Sequence, residues 1–432
     1  MKSYDSYIES GIKWLGKVPS HWEIKRGKYV TKLLSGFPFN SDLFSTDETD
    51  MPLIRIRDIM NTSTESFYSG PYPNAYIIKK GDVLVGMDGD FNVAIWNGPD
   101  GLLNQRVCKV LDMPEFCARY ASYVLPRPLK CINDITYSTT VKHLSTFDIY
   151  REYFPVPPIG EQKAIADYLD AECKKIDDLI KKEEKRVQLI EETKLSIITK
   201  AITKGLNKSA IMKDSGVPWV GLVPNSWVRH RIKYDLTRSA AGVWGDEEKG
   251  NDDDIVCYRI ADYDYSRGIL DNDSPTIRNI PTKERQGRLL RHGDLLIEKS
   301  GGGDVWPVGR VVRYNYEIDA VCSNFIHSVT VDERKINQDF LYYYFRFLYA
   351  NKVNLLYFNQ TTGIQNLKVS AYLSQSLYAP ELDEQKEIVE YLNKECDSYD
   401  IAINKANHQI DLLKEYKQSL ITEVVTGKRK VC

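Results

Sequence analysis

No stretch of this 432-residue sequence stays apolar over the roughly 18 residues needed to cross a bilayer, so no membrane contact is expected. The opening MKSYDSYIESG lacks the apolar core of a secretory signal, and a cytoplasmic location is expected. Eight cysteines occur, none spaced as CxxC and none beside paired histidines, which predicts free thiols in a reducing compartment. Cys173 and Cys396 fall on apolar helix positions and read as small core residues. The six histidines are scattered without an HExxH pattern, so no metal ligands are expected. Neither charge is in excess: 58 Lys and Arg against 60 Asp and Glu leave a net charge of −2. A protein that embraces DNA alone usually carries a basic surplus. Either basic groups gather on one face here, or a partner supplies much of the phosphate contact.

Catalytic signatures are missing too. There is no GxxxxGK followed by Ser or Thr to cradle a phosphate, no GxGxxG after a strand, no GxSxG, and no NPPY or NPPF of the kind amino-methyltransferases use on adenine. The KSGGGD run is a weak nucleotide signal without a following helix. Asp294 with Glu298 and Lys299 faintly suggests a nuclease carboxylate cluster, but Glu and Lys are adjacent. The bland alternative is a strand edge in solvent. No catalytic residue is assigned.

What is present is a repeat. Glu161 to Gly205 and Glu384 to Gly427 superpose Glu161 on Glu384, Gln162 on Gln385, Cys173 on Cys396, Asp177 on Asp400 and Lys194 on Lys417. Both stretches lack internal Pro and Gly and read as long helices opened by prolines and a first-turn Glu. Earlier, ESGIKWLGKVPSHWEIKRGKY is repeated as DSGVPWVGLVPNSWVRHRIKY, pairing Trp14 with Trp219 and Trp22 with Trp227. Gly and Pro between paired tryptophans predict an ordered turn pinned by indoles, with a docking role preferred over DNA contact. The offset between copies grows along the chain, so the second globular region is the longer. The expected modules are 1–157, a long helix at 158–205, 206–380, and a second long helix at 381–428.

Within each globular part, Pro52–Ile59 and Cys257–Asp262 alternate as strands. Gly81–Gly86 and Gly293–Glu298 read as turn plus strand, each followed by a Gly-rich loop. Glu115–Leu125 and Asp339–Ala350 read as short amphipathic helices, and Ser138–Leu144 and Thr361–Leu367 as matching polar loops. The frame matches between copies while the residues between frame elements mostly differ, as expected of two domains that recognise different things.

Heptad stepping gives the first helix a seam of Leu169, Cys173, Ile176, Ile180, Glu183, Val187, Ile190, Lys194, Ile197 and Ala201. The second has Leu392, Cys396, Tyr399, Ile403, Ala406, Ile410, Leu413, Lys417, Leu420 and Val424. Two such seams in one chain predict an antiparallel coiled coil with a pseudo-twofold internal repeat, each rod spanning roughly 65–70 Å. Such a rod would act as a ruler over about two turns of B-DNA. The fold class expected is α+β: two similar mixed domains separated by two long helices. Lys194 and Lys417 are equivalent in the two seams, and three roles fit them: snorkelling out, fixing the pairing register, or facing a partner.

The remaining signals suit DNA reading. Arg55 and Arg57 are placed on one strand face, with Arg259 in the other half. Arg suits guanine or phosphate. For Arg55 and Arg259 the alternative is an internal ion pair with Asp58 or Asp262. Arg57 faces Ala261 across the repeat and is the better specificity candidate. Asn92, Asn104, Gln105, Asn324, Gln360 and Gln365 could read adenine, and Lys142, Lys299 and Ser300 complete the candidate DNA-binding set.

The duplicated W-x-G-x-V-P-x-x-W motifs, the PPIGEQKAIADYLD and APELDEQKEIVEYLN helix starts, the SIITKAITKG and SLITEVVTG ends, and the TTVKHL and TTGIQNL loops carry a resemblance over nearly the full length. The chain resembles the DNA-specificity subunit of type I restriction–modification systems. That resemblance implies two target recognition domains, each reading half of a bipartite, asymmetric DNA site, with a spacer set by the helices. It implies no cofactor on this chain. Two methylation subunits would bring S-adenosylmethionine, and two restriction subunits would bring ATP- and Mg-dependent translocation and cleavage. The alternatives are an orphan or regulatory coiled-coil dimer and a self-contained methyltransferase or nuclease.

Overall fold

A computed structural model describes residues 3–135, 142–271, 274–303, 305–361 and 363–431. It divides into two compact units: Met1–Lys182 with Ile410–Cys432, and Glu183–Gln409. Each long helix contributes one half to each unit.

In the first unit, four strands run in the order Val93–Ile95, Val83–Gly86, Val107–Leu111, Lys32–Ser35, all antiparallel. A second sheet orders Phe44–Ser45, Phe67–Tyr68, Met51–Ile54, Gly101–Leu103, Ile77–Ile78. Its Met51–Ile54 and Gly101–Leu103 strands are parallel. Val83, Leu84 and Val85 are buried on both faces, which explains why this strand reads as a continuous apolar run. Ala118–Val124 is helical and buries Tyr120 and Val124.

The second unit repeats the plan with additions. Six strands run Leu236–Ala241, Ile326–Val331, Leu295–Glu298, Val311–Arg313, Ile269–Leu270, Tyr263–Asp264. Four more run Asp246–Glu247, Ile277–Asn279, Asp254–Tyr258, Ala320–Cys322, the last two parallel. A three-stranded sheet joins Ser300–Gly301, Ile364–Leu367 and Phe358–Thr361. The helix Gln338–Ala350 is capped by Asn337 and buries eight consecutive or near-consecutive apolar and aromatic residues from Phe340 to Leu348.

The long helices are Ile159–Lys204 and Leu382–Val425. Each stops at a glycine in the left-handed region, Gly205 at φ +68 and Gly427 at φ +70, where a side chain would strain the backbone. Within each unit the helices pack against each other in antiparallel sense. In the first unit Leu169, Ile176 and Ile180 share a core with Ile410, Leu420 and Val424. In the second, Ile198, Ala201 and Ile202 share one with Ile388, Leu392 and Cys396. Burying each of the Leu, Ile and Val side chains contributes roughly 1.5–3 kcal/mol. Val187, Ile190, Ile403 and Leu413 of the predicted seams are half-buried. The seam lysines have partners on the opposite helix: Lys417 Nζ lies 2.7 Å from Asp177 in the first unit, and Lys194 Nζ bonds Asp400 in the second.

The tryptophan turns dock on the helix starts. Trp22 Nε1 donates to Glu161 Oε1 at 3.1 Å, and Trp227 Nε1 donates to Glu384 Oε1 at 3.2 Å. The next residue is a second strut. Gln162 Nε2 donates to the Pro157 carbonyl and its Oε1 accepts from Cys117 N. Gln385 does the same with Pro380 and Asn337. The Glu-Gln pair thus joins each turn, each proline entrance and one short helix to a long helix. Both glutamines are almost fully buried, so every polar atom they keep satisfied avoids a desolvation cost of about 1–3 kcal/mol.

Candidate nucleic-acid interface

Parallel strands leave a sheet at the same end, so the residues following them come side by side. In the first unit Leu103 pairs with Ile54, which sets Asn104–Arg106 beside Arg55–Arg57. In the second, Cys322 pairs with Tyr258, which sets Ser323–Phe325 beside Arg259–Ala261. A third loop joins them through the same backbone bonds in both units. Met87 N donates to Arg106 O at 3.0 Å and Lys299 N to Phe325 O at 2.8 Å. Leu144 N then donates to Met87 O, and Leu367 N to Lys299 O, each at 2.8 Å. One backbone frame therefore occurs twice and carries most of the residues expected to meet DNA.

Its geometry corrects the strand assignments. The strands end at Ile54 and Tyr258, short of the predicted Ile59 and Asp262. Arg55 and Arg57 lie on a turn, not on one strand face. The cause is a buried carboxylate three residues on: Asp58 accepts from Arg55 N at 2.9 Å, and Asp262 from Arg259 N at 2.6 Å. An aspartate that captures a backbone N–H offers the chain a turn in place of another ladder bond. Arg57, 58% exposed, donates to Ser66 and sits 3.8 Å from Asp58. Arg259 lies 3.7 Å from Asp262 through Nη2, and its buried Nε has no hydrogen-bond partner among the described residues.

Other candidates divide into exposed tips and internal struts. Asn92, Gln105, Asn324 and Gln360 are exposed. Asn104 is buried. Lys142 is committed to Asn133, reaching its carbonyl at 2.5 Å and its side-chain oxygen at 3.0 Å. Gln365, only 3% exposed, accepts from Val308 N at 3.1 Å. It supports the glycine loop from within, because its strand alternates and Gln365 falls on the inner face. Ser300 is likewise buried, its hydroxyl donating to Asn366 Oδ1 at 2.7 Å. Asp88 and His143 make the corresponding contact in the first unit, at 2.6 Å. Lys299 is half-buried beside them. Of the glycines in the KSGGGD loop, Gly302 serves close packing: a Cβ there would stand 2.8 Å from Val308 N, whereas one on Gly303 would meet nothing within 4 Å. Residues 138–141 and Thr362 of the two polar stretches lie outside the described residues, as does Asp304.

The suspected carboxylates are neither a nuclease cluster nor a solvent edge. Asp294 is 1% and Glu298 0% exposed. Asp294 is held by Arg238 and by Arg291 N, and Glu298 by Arg310 at 2.8 Å. Burial raises the Glu298 pKa, and the Arg310 bond opposes that rise. Arg310 in turn lies 3.7 Å over the Tyr265 ring. Arg238 reaches across Ile326–Val331 from the strand beyond it, and Arg310 lies just before the adjacent Val311–Arg313 strand, so each of these two carboxylates is engaged by an arginine. Among the described residues no His, Cys, Asp and Glu group could hold a metal ion, and no helix is long and apolar enough to cross a membrane.

Sequence reasoning missed Arg106, Trp244 and Phe325. Pairing Leu103 with Cys322 across the repeat would have set Gln105 opposite Asn324 and Arg106 opposite Phe325. The loop from Gly242 can press against Ser323 because glycine has no Cβ; one there would fall 2.1 Å from the Ser323 carbonyl. Beside this contact lies a pocket of about 330 Å³ lined by Trp244, Arg259, Ala261, Asn324 and Phe325, among others.

The same loop frame is thus built twice in one chain, with arginines and amides at exposed positions. The family model described as "Type I restriction modification DNA specificity domain" matches residues 19–189 and again 259–412, and the chain belongs to that family of non-catalytic specificity subunits. It is 27% identical over 431 residues to the type I restriction enzyme EcoBI specificity subunit of Escherichia coli, covering 98% of this chain and 89% of that protein. The StySPI specificity subunit of Salmonella potsdam is 21% identical, over 96% of this chain and 90% of its own. The MjaVIII specificity subunit of Methanocaldococcus jannaschii is 22% identical, over 96% and 94%. A solved chain described under "Structural basis underlying complex assembly and conformational transition of the type I R-M system" shares the fold, with a TM-score of 0.66 at 16% identity over 94% of this chain and 98% of that one.

Proposed function

We propose that this chain selects the DNA site of a type I restriction–modification complex, each globular part reading one half of a bipartite, asymmetric sequence. The observation that carries the reading is the same three-loop frame built twice with different side chains at its tips. Equal frames supply equal approach to a duplex, and unequal tips supply unequal base preference. The long helices then set the unspecified gap between the halves. The functional modules are 1–157, 158–205, 206–380 and 381–428.

In this reading the exposed polar faces of the helices seat two methylation and two restriction subunits in the cytoplasm. Those partners carry S-adenosylmethionine, ATP and Mg, and this chain carries none. Their share of the phosphate contact suits a specificity subunit whose net charge is only −2. Selection of bound duplexes from a random pool by the chain with its methylation partner tests the proposal. A two-part motif with a fixed gap is expected. A contiguous motif, or no enrichment, would refute it.

A further inference from the structure

The two frames carry different side chains at matching exposed loop positions. The first unit carries Arg57 and Arg106 where the second carries Ala261 and Phe325. Both arginines are more than half exposed. Phe325 is 43% exposed and Ala261 is exposed beside it. The position shared by both frames, Arg55 and Arg259, keeps its charge and so suits a phosphate common to any sequence. The differing positions suit bases. Exposed Asn324 stands next to Phe325 and lines the same pocket as Ala261 and Trp244. That indole is fixed in place. Arg278 lies 4.4 Å over its ring and donates to the Trp244 and Gly245 carbonyls.

An asparagine amide matches adenine N6 and N7 in the major groove, and an apolar side chain matches the neighbouring thymine methyl. A guanine or cytosine would instead present groups that this wall leaves unpaired. We propose that Asn324 and the Trp244–Ala261–Phe325 wall together read one A·T base pair in the second unit's half-site, with Asn324 on the adenine and Phe325 on the thymine methyl. The inference rests on the DNA-reading function proposed above and assigns it to particular atoms. The first unit carries arginines, Arg57 and Arg106, at both corresponding positions.

The test uses the full chain with its methylation partner and a duplex carrying the selected site. Each thymine of the second half-site is replaced in turn by uracil, which removes only the methyl. Loss of one buried methyl contact corresponds to about fourfold in affinity. One position is expected to show that loss with the unmodified protein and none with Phe325→Ala. Phe325→Leu, which keeps an apolar tip, retains part of the loss and serves if the alanine variant fails to fold. At the paired adenine, 7-deazaadenine weakens binding about tenfold or more with the unmodified protein and has no effect with Asn324→Ala. Sequence-specific binding with no uracil-sensitive position, or a uracil loss unchanged in both Phe325 variants, overturns this inference and leaves the DNA-reading function standing. Absence of any sequence preference overturns both.

Discussion

Lys194 of the first long helix reaches Asp400 of the second, Nζ to Oδ1 2.5 Å, and the lysine side chain is only 5% exposed. The repeat makes the converse contact, Lys417 to Asp177 at 2.7 Å, in the other unit and in far more open surroundings. The same pair is therefore buried once and solvated once. Removing one partner of a buried pair strands the other charge, whereas an exposed pair is worth little. Lys194→Ala should destabilise the chain by about 3 kcal/mol and Lys417→Ala by less than about 1 kcal/mol in urea unfolding. Equal losses would mean that the lysines act through packing of their stems. Exchanging the charges as Lys194→Asp with Asp400→Lys should recover most of the first loss.

Glu161 and Glu384 hold equivalent indoles but not equivalent surroundings. Glu161 also takes Tyr4 and, at 2.9 Å, His21. The described contacts of Glu384 include only the Trp227 indole among ring donors. Glu161→Ala should cost about 2–3 kcal/mol and Glu384→Ala about 1 kcal/mol, measured by the same unfolding experiment. Trp227→Phe, which deletes the N–H but keeps the ring, should match Glu384→Ala. A much larger loss for the Phe variant would place the energy in packing against Phe340, 6.2 Å away.

His327 gives the fold a specific acid sensitivity. Burial first, then the nearby Lys299 and Arg238 charges, push its pKa down to about 4 from 6.5. Its Nε2 meets the Ser239 hydroxyl at 2.7 Å. The folded pKa lies below the unfolded one, so the unfolded chain binds the proton first as pH falls. The neutral ring's contribution is complete above pH 6.5 and is lost as pH falls toward about 4. With partial solvent screening this amounts to roughly 2 kcal/mol. Stability of His327→Gln should fall less over that range than stability of the unmodified chain. Parallel curves would show that other groups govern the acid response.

Much of this architecture was legible because it occurs twice. The repeat exposed the helices, the seams and the tryptophan turns without any structural information. Terminal glycines and entrance prolines fixed the helix limits to within a few residues. Physical reasons explain the misses. The strands after Pro52 and Cys257 stop early because Asp58 and Asp262 compete for the backbone, and nothing in an alternating pattern signals that competition. Asp294 and Glu298 looked solvent-facing because their partners, Arg238 and Arg310, lie outside the Leu295–Glu298 strand. Gln365 looked like a base reader because an amide buried as a strut has the same letter as one exposed at a tip. Lys194 and Lys417 stood out at once, but their role needed the antiparallel register that brings each to an aspartate of the opposite helix.

Mapping of methylated adenines separates two independent half-site readers from a single joint one. DNA is exposed to the complex containing the unmodified chain, and separately to one containing Ala261→Arg with Phe325→Arg, which gives the second frame the tips of the first. A bipartite methylated motif is expected in which the double substitution alters one half and leaves the other half and the gap unchanged. A motif altered in both halves, or one altered in its gap alone, would contradict independent reading.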